Sequence, residues 1–594
     1  MDTETPSTPL PDWFARIQDA ERAGDMILAY DRSHQALAEY PDDLQLRYRT
    51  VLNLARAGGH KRAEALYREY RLAGIDDERI SALGARLLRE RALETGQPGL
   101  LAEAASRYEV IHQHTAGSFS GVNAAVLWLL VGRIEHAREL ARTVLRQLVA
   151  ATDRTISPYY AASDAATAAL LLGELETAHA YLQACAKHHG GNQTLLAATR
   201  RQLRRICDAI GLDPALLSPL HPPTVIHYTG HMMTPPNRPG RLSAESVPAV
   251  RTAVRAFLHE AGVGHGFGAL ACGADILIAE ALLEHGADLH VVLPCEPVQF
   301  VNLSVAPGAR DWEARFRRCL ARASSLTLAT RDRLPGDITL FVYASRLAMG
   351  LARLRASGLD APLRQLAVWD GAATSGPAGT AANVQYWQSL GLDTRVIPSG
   401  ADTHPPPPPP RVLDDNQRRI RTLLFGDFRG FSKLREPQLG AFVDKVLGTL
   451  ARVLDGHSEA VEYRNTWGDG LFVVFREARE AAHCALALQQ AMAEVDLPTL
   501  GLPESLALRI GVHTGPVMAL QDPVLGVRNF FGSNVSATAR VEPITPPGEV
   551  YATESFAALL ALQPDPGLGA EYVGRMPAAK GFGELRMYRL VPRG

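Results

Sequence analysis

No stretch of this chain reaches the roughly 18 consecutive apolar residues that a membrane-crossing helix needs. No membrane span is therefore expected, although hydrophobic residues make up 46% of the 594 positions. Cysteine is scarce. The six residues Cys185, Cys207, Cys272, Cys295, Cys319 and Cys484 are scattered, with no C-x-x-C and no zinc-ligand spacing. That argues against a disulfide framework and for a reduced, cytoplasmic setting. An excess of charge of one sign is also missing. The formal net charge of −2 gives no electrostatic footprint for nucleic acid. The opening MDTETPSTPLPDW is acidic and lacks an apolar centre, so it does not read as a signal peptide.

What is present is ordinary globular material. Charged residues make up 21% of the chain, and its length allows three or four domains at roughly 100–200 residues each. Residues 1–220 read as helices, with apolar positions at helical spacing as in AAVLWLLVGRIEHARELARTVL. A glycine followed five residues later by alanine recurs at Gly24/Ala29, Gly58/Ala63, Gly132/Ala137 and Gly173/Ala178, at intervals of 34, 74 and 41 residues. The first interval is the period of tetratricopeptide helix pairs. Small residues there would let antiparallel helices approach closely at their turn. The region resembles a degenerate tetratricopeptide array, which implies a protein or peptide partner on a concave face. An irregular helical bundle is the alternative.

From residue 222 to 400 strand and helix alternate. TVIHYTGH, LHVVLP, SSLTLAT, LRQLAVWDG and TRVIP read as strands. Helices are expected at 244–261, from Trp312 to Leu320 and at 340–355. The pattern predicts an α/β domain built on a doubly wound parallel sheet, whose ligands lie at the carboxyl ends of strands. Two glycine-rich turns are candidates for such ends: Gly264–Gly268 with Gly273 and Asp275, and Gly376–Thr380, which opens a helix. These glycines either build a ligand crevice or only turn strands into helices. The order GADILIAEALLEHGADLHVVLP resembles the SLOG superfamily of Rossmann-like nucleotide-binding domains, over about 175 residues and with loose motifs. The resemblance implies a ligand-sensing domain with a nucleotide-like ligand.

Residues 401–416 read as a linker. The six prolines Pro405–Pro410 favour a polyproline II rod of roughly 19 Å at about 3.1 Å per residue, a semi-rigid spacer or a ligand for a proline-reading module. Beyond it, RTLLFGDFRGFSKL brings an apolar strand to Asp427, followed by a helix at 437–454. A hairpin through Asn465 then reaches Asp469 in RNTWGDGLFVVF. Gly-Asp-Gly is turn chemistry, and a single turn acid usually only bends the chain. Two acids at strand boundaries are different. If the strands are neighbours, both carboxylates converge on one cation, as proteins hold magnesium when a phosphate completes its shell. LALRIGVHTGPV follows as a strand into a glycine-containing turn. NFFGSNVSATARVEPITPPGEVYAT follows in turn, with a helical middle that puts Ser536 and Arg540 on one face. AAKGFGELRMYRL closes the chain as a hairpin carrying Lys580.

The order DFRGFS, WGDG, RIGVHTGPV, FFGSNVSATARVEPITPPGEVY and KGFGELRMYRL resembles a class III adenylate/guanylate cyclase catalytic domain over residues 417–594. The resemblance implies an α+β, ferredoxin-like βαββαβ fold with an added hairpin, working as a head-to-tail homodimer. It implies that Asp427 and Asp469 hold two Mg2+ or Mn2+ ions. The backbone of Phe428, Arg429, Gly430, Phe431 and Ser432 would cradle a triphosphate, and Lys580 would contact it. Arg540, from the other subunit, would stabilise charge on the α-phosphate.

Three positions depart from the family pattern. Asn465 stands where adenylate cyclases commonly have lysine and guanylate cyclases glutamate. Asn529 falls near the second purine-facing position. Ser536 replaces an asparagine near the ribose. The expected activity is cyclisation of a nucleoside triphosphate, ATP first, to a 3′,5′-cyclic nucleotide and pyrophosphate, regulated by the upstream parts. A pyrimidine cyclase, a non-catalytic cyclase-like regulator and a scaffold are the alternatives. Neither metal aspartate nor the arginine is missing, which argues for catalysis.

Overall fold

The computed structural model describes residues 8–150, 157–233, 241–308, 310–330, 337–373, 376–400, 418–579 and 583–593. The proline run 405–410 and Lys580 lie outside the described residues. Among the described residues no helix is long and apolar enough to cross a membrane, and all six cysteines are buried thiols.

The N-terminal part is a succession of helices, Leu10–Arg22, Met26–Glu39, Leu44–Arg56, His60–Glu69, Glu78–Thr95, Pro98–Thr115, Ser118–Leu130, Ile134–Ala150, Pro158–Leu172, Leu175–His188 and Gln193–Ile210. Several start on side-chain caps: Asp25 accepts from Leu28 N–H at 2.9 Å and Asp43 from Leu46 N–H at 2.8 Å. Each recurring glycine marks a turn between two consecutive helices, and at three of the four the reason is not the expected close approach. Gly58, Gly132 and Gly173 sit at φ +92°, +86° and +79°, and a Cβ on any of them would touch nothing. Their task is the left-handed turn. The close approach belongs to the alanines, since Ala29, Ala63, Ala137 and Ala178 are buried.

The middle part holds strands β1 (Thr224–Gly230), β2 (Val263–Gly268), β3 (Asp288–Leu293), β4 (Ser325–Leu328), β5 (Leu363–Trp369) and β6 (Thr394–Pro398). They form one sheet of order β4-β3-β2-β1-β5-β6, parallel at every pairing. Val225 and Phe267 face Ala352 and Ala356 of the helix Ile338–Leu359. Ile226 and Tyr228 face Val250, Val254 and Ile276 on the other side. Both sheet faces are thus covered. The segment Gly264–Gly268, expected as a turn, is strand β2 itself. Its glycines are there for space: a Cβ on Gly266 would stand 2.3 Å from Leu282 Cδ1, and one on Gly268 2.5 Å from Tyr228 Cε2. Gly379, at φ +104°, does open the helix Thr380–Ser389.

The C-terminal part holds β7 (Arg419–Arg429), β8 (Val461–Trp467), β9 (Gly470–Phe475), β10 (Ala507–Gln521), β11 (Arg528–Phe531), β12 (Val550–Thr553), β13 (Leu568–Pro577) and β14 (Glu584–Pro592). Their order is β13-β14-β12-β10-β7-β9-β8, with β11 folded back on β10. The helix Ala478–Ala493 buries Ala481, Ala485 and Leu488 against Leu424, Val473 and Phe475. Two expectations need correction. The strand at LALRIGVHTGPV does not end at Gly515 but runs on to Gln521. The helix expected at 437–454 is interrupted by a π-type turn at Phe442–Leu447.

The three parts pack on one another. Tyr30, Val51, Leu54 and Leu66 of the helical part share a core with Tyr572, Tyr588 and Leu590. Buried Asp31 accepts from Tyr572 Oη at 2.5 Å and from Arg575 Nε at 3.0 Å. From the middle part, Tyr343 Oη donates to Thr514 O at 2.8 Å. The helix Ile338–Leu359 crosses the helix Glu554–Ala561 so closely that a Cβ on Gly350 would lie 2.2 Å from Ala558 O. Gly350→Leu should therefore force the two helices apart and lower stability by about 1–3 kcal/mol, the usual cost of overpacking. Thermal unfolding of the full chain checks this, with Gly58→Ala as a comparison in which only the turn is strained.

Candidate active site

Three adjacent strands assemble the acids. β7 lies between β9 and β10, with Gly426 opposite Leu471 and Asp427 opposite Arg509. Asp427 therefore stands one step past Leu471, level with the start of β9. The β8–β9 connection is a two-residue turn, Gly468-Asp469, between the paired residues Trp467 and Gly470. Gly468 takes its first corner at φ +62°, which a side chain would strain. The turn brings Asp469 within hydrogen-bonding reach of Asp427. Burial first, and the charge of Asp427 second, hold the Asp469 carboxyl above its ordinary range.

Two more residues complete the cluster, and sequence reading missed both. Arg509 Nη2 donates to Asp427 Oδ2 at 2.6 Å, and its Nε meets Glu542 Oε1 at 2.5 Å. Glu542 is pushed up to about 7, by burial first, with Arg509 opposing and Asp427 adding to the rise. Two carboxyl groups thus pair with one guanidinium, and a third, Asp469, reaches the first of them. The only signal for Arg509 in the sequence is alternation. Leu508, Ile510 and Val512 are buried on β10, and an arginine between them belongs to the other face. Glu542 had none beyond standing two residues after Arg540.

The site residues expected from sequence divide into two groups. Asp427, Asp469 and the turn after β7 come together; a Cβ on Gly468 would lie 4.0 Å from Phe431 Cε1. Phe428 itself is a core residue, 2% exposed and edge-on to Phe442 at 5.0 Å, so only its backbone faces the site. Arg429 ends β7, and Gly430 turns the chain at φ +92°. Phe431–Lys433 is a single 3-10 turn, shorter than the helix start expected there. Its first hydrogen bond is from Lys433 N–H to Gly430 O at 3.1 Å, which leaves the amides of Phe431 and Ser432 at the open amino end.

Ser536 and Arg540 form the second group, on the helix Ser533–Val541. Ser536 is exposed and Arg540 half-buried, and among the described residues no hydrogen bond or ion pair ties Arg540 to either aspartate. Asn465 lies on edge strand β8, its Oδ1 accepting from Thr466 N–H at 2.8 Å. Asn529 is 9% exposed on β11. Its amide donates to Asp522 Oδ2 at 3.0 Å and accepts from Phe530 N–H at 2.8 Å. Around these residues large apolar side chains face outward: Trp467 is 56% exposed and Val524 91%, and Leu525, Val527 and Phe531 join them.

The paired carboxylates fit a hard divalent cation. The Asp469 carboxyl, raised by burial and by the charge of its neighbour Asp427, is what such an ion would relieve, and carboxylate oxygen is its preferred donor. Residues 415–592 match the family model of the adenylate and guanylate cyclase catalytic domain, so the C-terminal part of this chain is a class III cyclase catalytic domain. Enzymes of that class use divalent metal ions, magnesium or manganese.

"Putative adenylate cyclase 3" of Rhizobium meliloti (strain 1021) is 34% identical over 145 residues, 24% of this chain and 23% of that protein. The chain thus spans about a quarter of that curated relative's length. Among solved structures, the guanylate cyclase domain of RhGC from Catenaria anguillulae in complex with GTP aligns at 22% identity, TM-score 0.26, over 30% of this chain and 98% of that one. The adenylyl cyclase CyaB from P. aeruginosa aligns at 18% identity, TM-score 0.25, over 30% and 95%.

Proposed function

We propose that this chain is a nucleotide cyclase that converts a nucleoside triphosphate, ATP first, to its 3′,5′-cyclic nucleotide and pyrophosphate. The observation that carries the reading is the convergence of Asp427 and Asp469 from a strand and an adjacent turn onto one point. ATP is favoured by the name of the 34% identical relative.

Asp427 and Asp469 hold two divalent cations, which when bound lower the pKa of the attacking hydroxyl and neutralise the leaving group. The amides after Gly430, together with Lys580, bind the triphosphate. The ribose 3′-oxygen forms its bond to the α-phosphorus, the bond to pyrophosphate breaks, and the hydroxyl proton leaves to solvent. Arg540 meets the charge that grows on the phosphoryl oxygens. Ser536 offers a short hydroxyl near the ribose. Asn465 and Asn529 face the base, and Asp522 fixes the orientation of the Asn529 amide. Arg509 offsets part of the negative charge of Asp427 and Glu542, so the site holds its acids without carrying their full repulsion.

Among the described residues Arg540 has no carboxylate partner, and the apolar side chains around Trp467 face outward. Both features support a homodimer in which each chain lends Arg540 to the other's aspartates. The regulatory reading divides the chain at 1–220, 222–400 and 417–594, with a protein partner on the tetratricopeptide-like helices and a nucleotide-like ligand on the SLOG-like sheet. Asp31 and Gly350 lie at contacts through which either signal reaches the cyclase part.

The experiment supplies each of the four ribonucleoside triphosphates with Mg2+ or Mn2+ to the purified chain and identifies products by mass. Cyclic AMP with pyrophosphate, formed fastest from ATP, is expected. Nucleotide binding with no cyclic product would make the chain a non-catalytic regulator.

A further inference from the structure

The middle sheet carries a second cluster of ligating groups, on different strands and in a different part of the chain from the catalytic acids. His265 on β2 pairs with Asp288 on β3, and His290 follows on the same face, in register with Ser325 on β4. The three residues bring one donor atom each to within 4.8 Å of one another. His265 is 2% and His290 5% exposed, yet among the described residues His290 Nε2 has no hydrogen-bond partner and His265 Nδ1 has only a long contact to a carboxylate. Buried polar atoms are almost always paired, so an open imidazole nitrogen beside a second that is only loosely paired needs a reason. Asp288 Oδ2 faces His265 Nδ1 at 3.3 Å.

In His290 and Asp288 the other atom of the side chain is already held. His290 Nδ1 meets Ser325 Oγ at 2.8 Å, and Ser324 Oγ donates to Asp288 Oδ1 at 2.8 Å. This is how ligands are oriented around a metal: the far atom is hydrogen-bonded and the near atom is left open. His290, Ser324 and Ser325 also line a cavity of about 1160 Å³ between the three parts of the chain, which supplies an entry path. The positive charge of Arg355 acts on both imidazoles, and Asp25 pairs with Arg355 at 3.5 Å.

We propose that His265, Asp288 and His290 bind a divalent transition-metal cation of the zinc type. Two buried imidazoles and one carboxylate are a nitrogen-rich set that suits zinc, cobalt or iron and not magnesium. At least one coordination position faces the cavity. The other His-acid cluster, His60 with Glu94 and Glu571, is a weaker candidate. Its imidazole already pairs with Glu94, and Glu571 is taken by Arg589 Nη2 at 2.6 Å.

Co2+ is the probe, added to the full chain carrying Asp427→Ala and Asp469→Ala so that the catalytic acids are silent. Equilibrium dialysis should find one tightly held ion per chain, with visible absorption bands of a nitrogen-containing site. His265→Gln, His290→Gln and Asp288→Asn should each weaken binding at least tenfold, while His60→Ala leaves it unchanged. Asp288→Asn keeps the contact to Ser324 on a partly exposed residue, so an unaltered metal-free unfolding temperature in that variant separates lost ligation from lost fold. Absence of a bound ion in the parent chain, or retention of its affinity in all three ligand variants, would overturn the site.

Discussion

Asp427→Ala or Asp469→Ala is expected to lower the cyclisation rate by at least about a thousandfold, roughly 4 kcal/mol of transition-state stabilisation at about 1.36 kcal/mol per decade. In the proposed reaction each carboxylate is half of a cation site, and there is no strong side-chain base to fall back on. The fold should survive. Asp469 lies in a two-residue turn whose geometry is set by Gly468, and Arg509 keeps Glu542 as a partner when Asp427 is lost. Circular dichroism and unfolding temperature close to wild type, together with the lost rate, are the expected pair. Near-normal turnover in either variant at saturating Mg2+ or Mn2+ would remove the metal assignment.

Arg540→Ala should cost a comparable factor, about a hundredfold to a thousandfold, the range for removing a charge-stabilising donor from a transition state. The loss should fall on kcat with KM little changed, because Arg540 is assigned to charge that develops only during transfer. Its surroundings make the experiment clean. Arg540 is half-buried on the helix Ser533–Val541, with no ion pair among the described residues, so truncation breaks no structural bond. A variant with raised KM and intact kcat would instead place Arg540 in ground-state binding.

The aspartates were legible because each is announced locally. An apolar run ends at Gly-Asp in one case and begins after Gly-Asp-Gly in the other, and the two runs are of a kind that pair in one sheet. Arg509 was not, since a lone arginine in an alternating strand has no local signature. Only the register of β10 against β7 shows that it faces Asp427. Gly264–Gly268 was misread because glycine composition means a turn when a turn is all that local chemistry can see. The actual cause, the crowding of Gly266 by Leu282, is tertiary. The proline run suggested separable units joined by a spacer, yet Asp31 and Tyr572, 541 residues apart, share a buried hydrogen bond. No pattern in either segment announces that contact, because it depends on how finished domains meet.

In the proposed dimer one catalytic centre is built from the aspartates of one chain and the arginine of another. Co-expression of the Asp469→Ala chain with the Arg540→Ala chain, differently tagged and purified as the mixed dimer, tests it most directly. Each mutant dimer alone is inactive. The mixed dimer contains one centre with both aspartates and an intact Arg540 from the opposite chain, and a second centre that lacks both Asp469 and Arg540. Recovery of about half the wild-type rate per dimer is the predicted result, as expected when one of two independent sites is whole. A verified mixed dimer that stays as inactive as its parents would contradict the shared-site account.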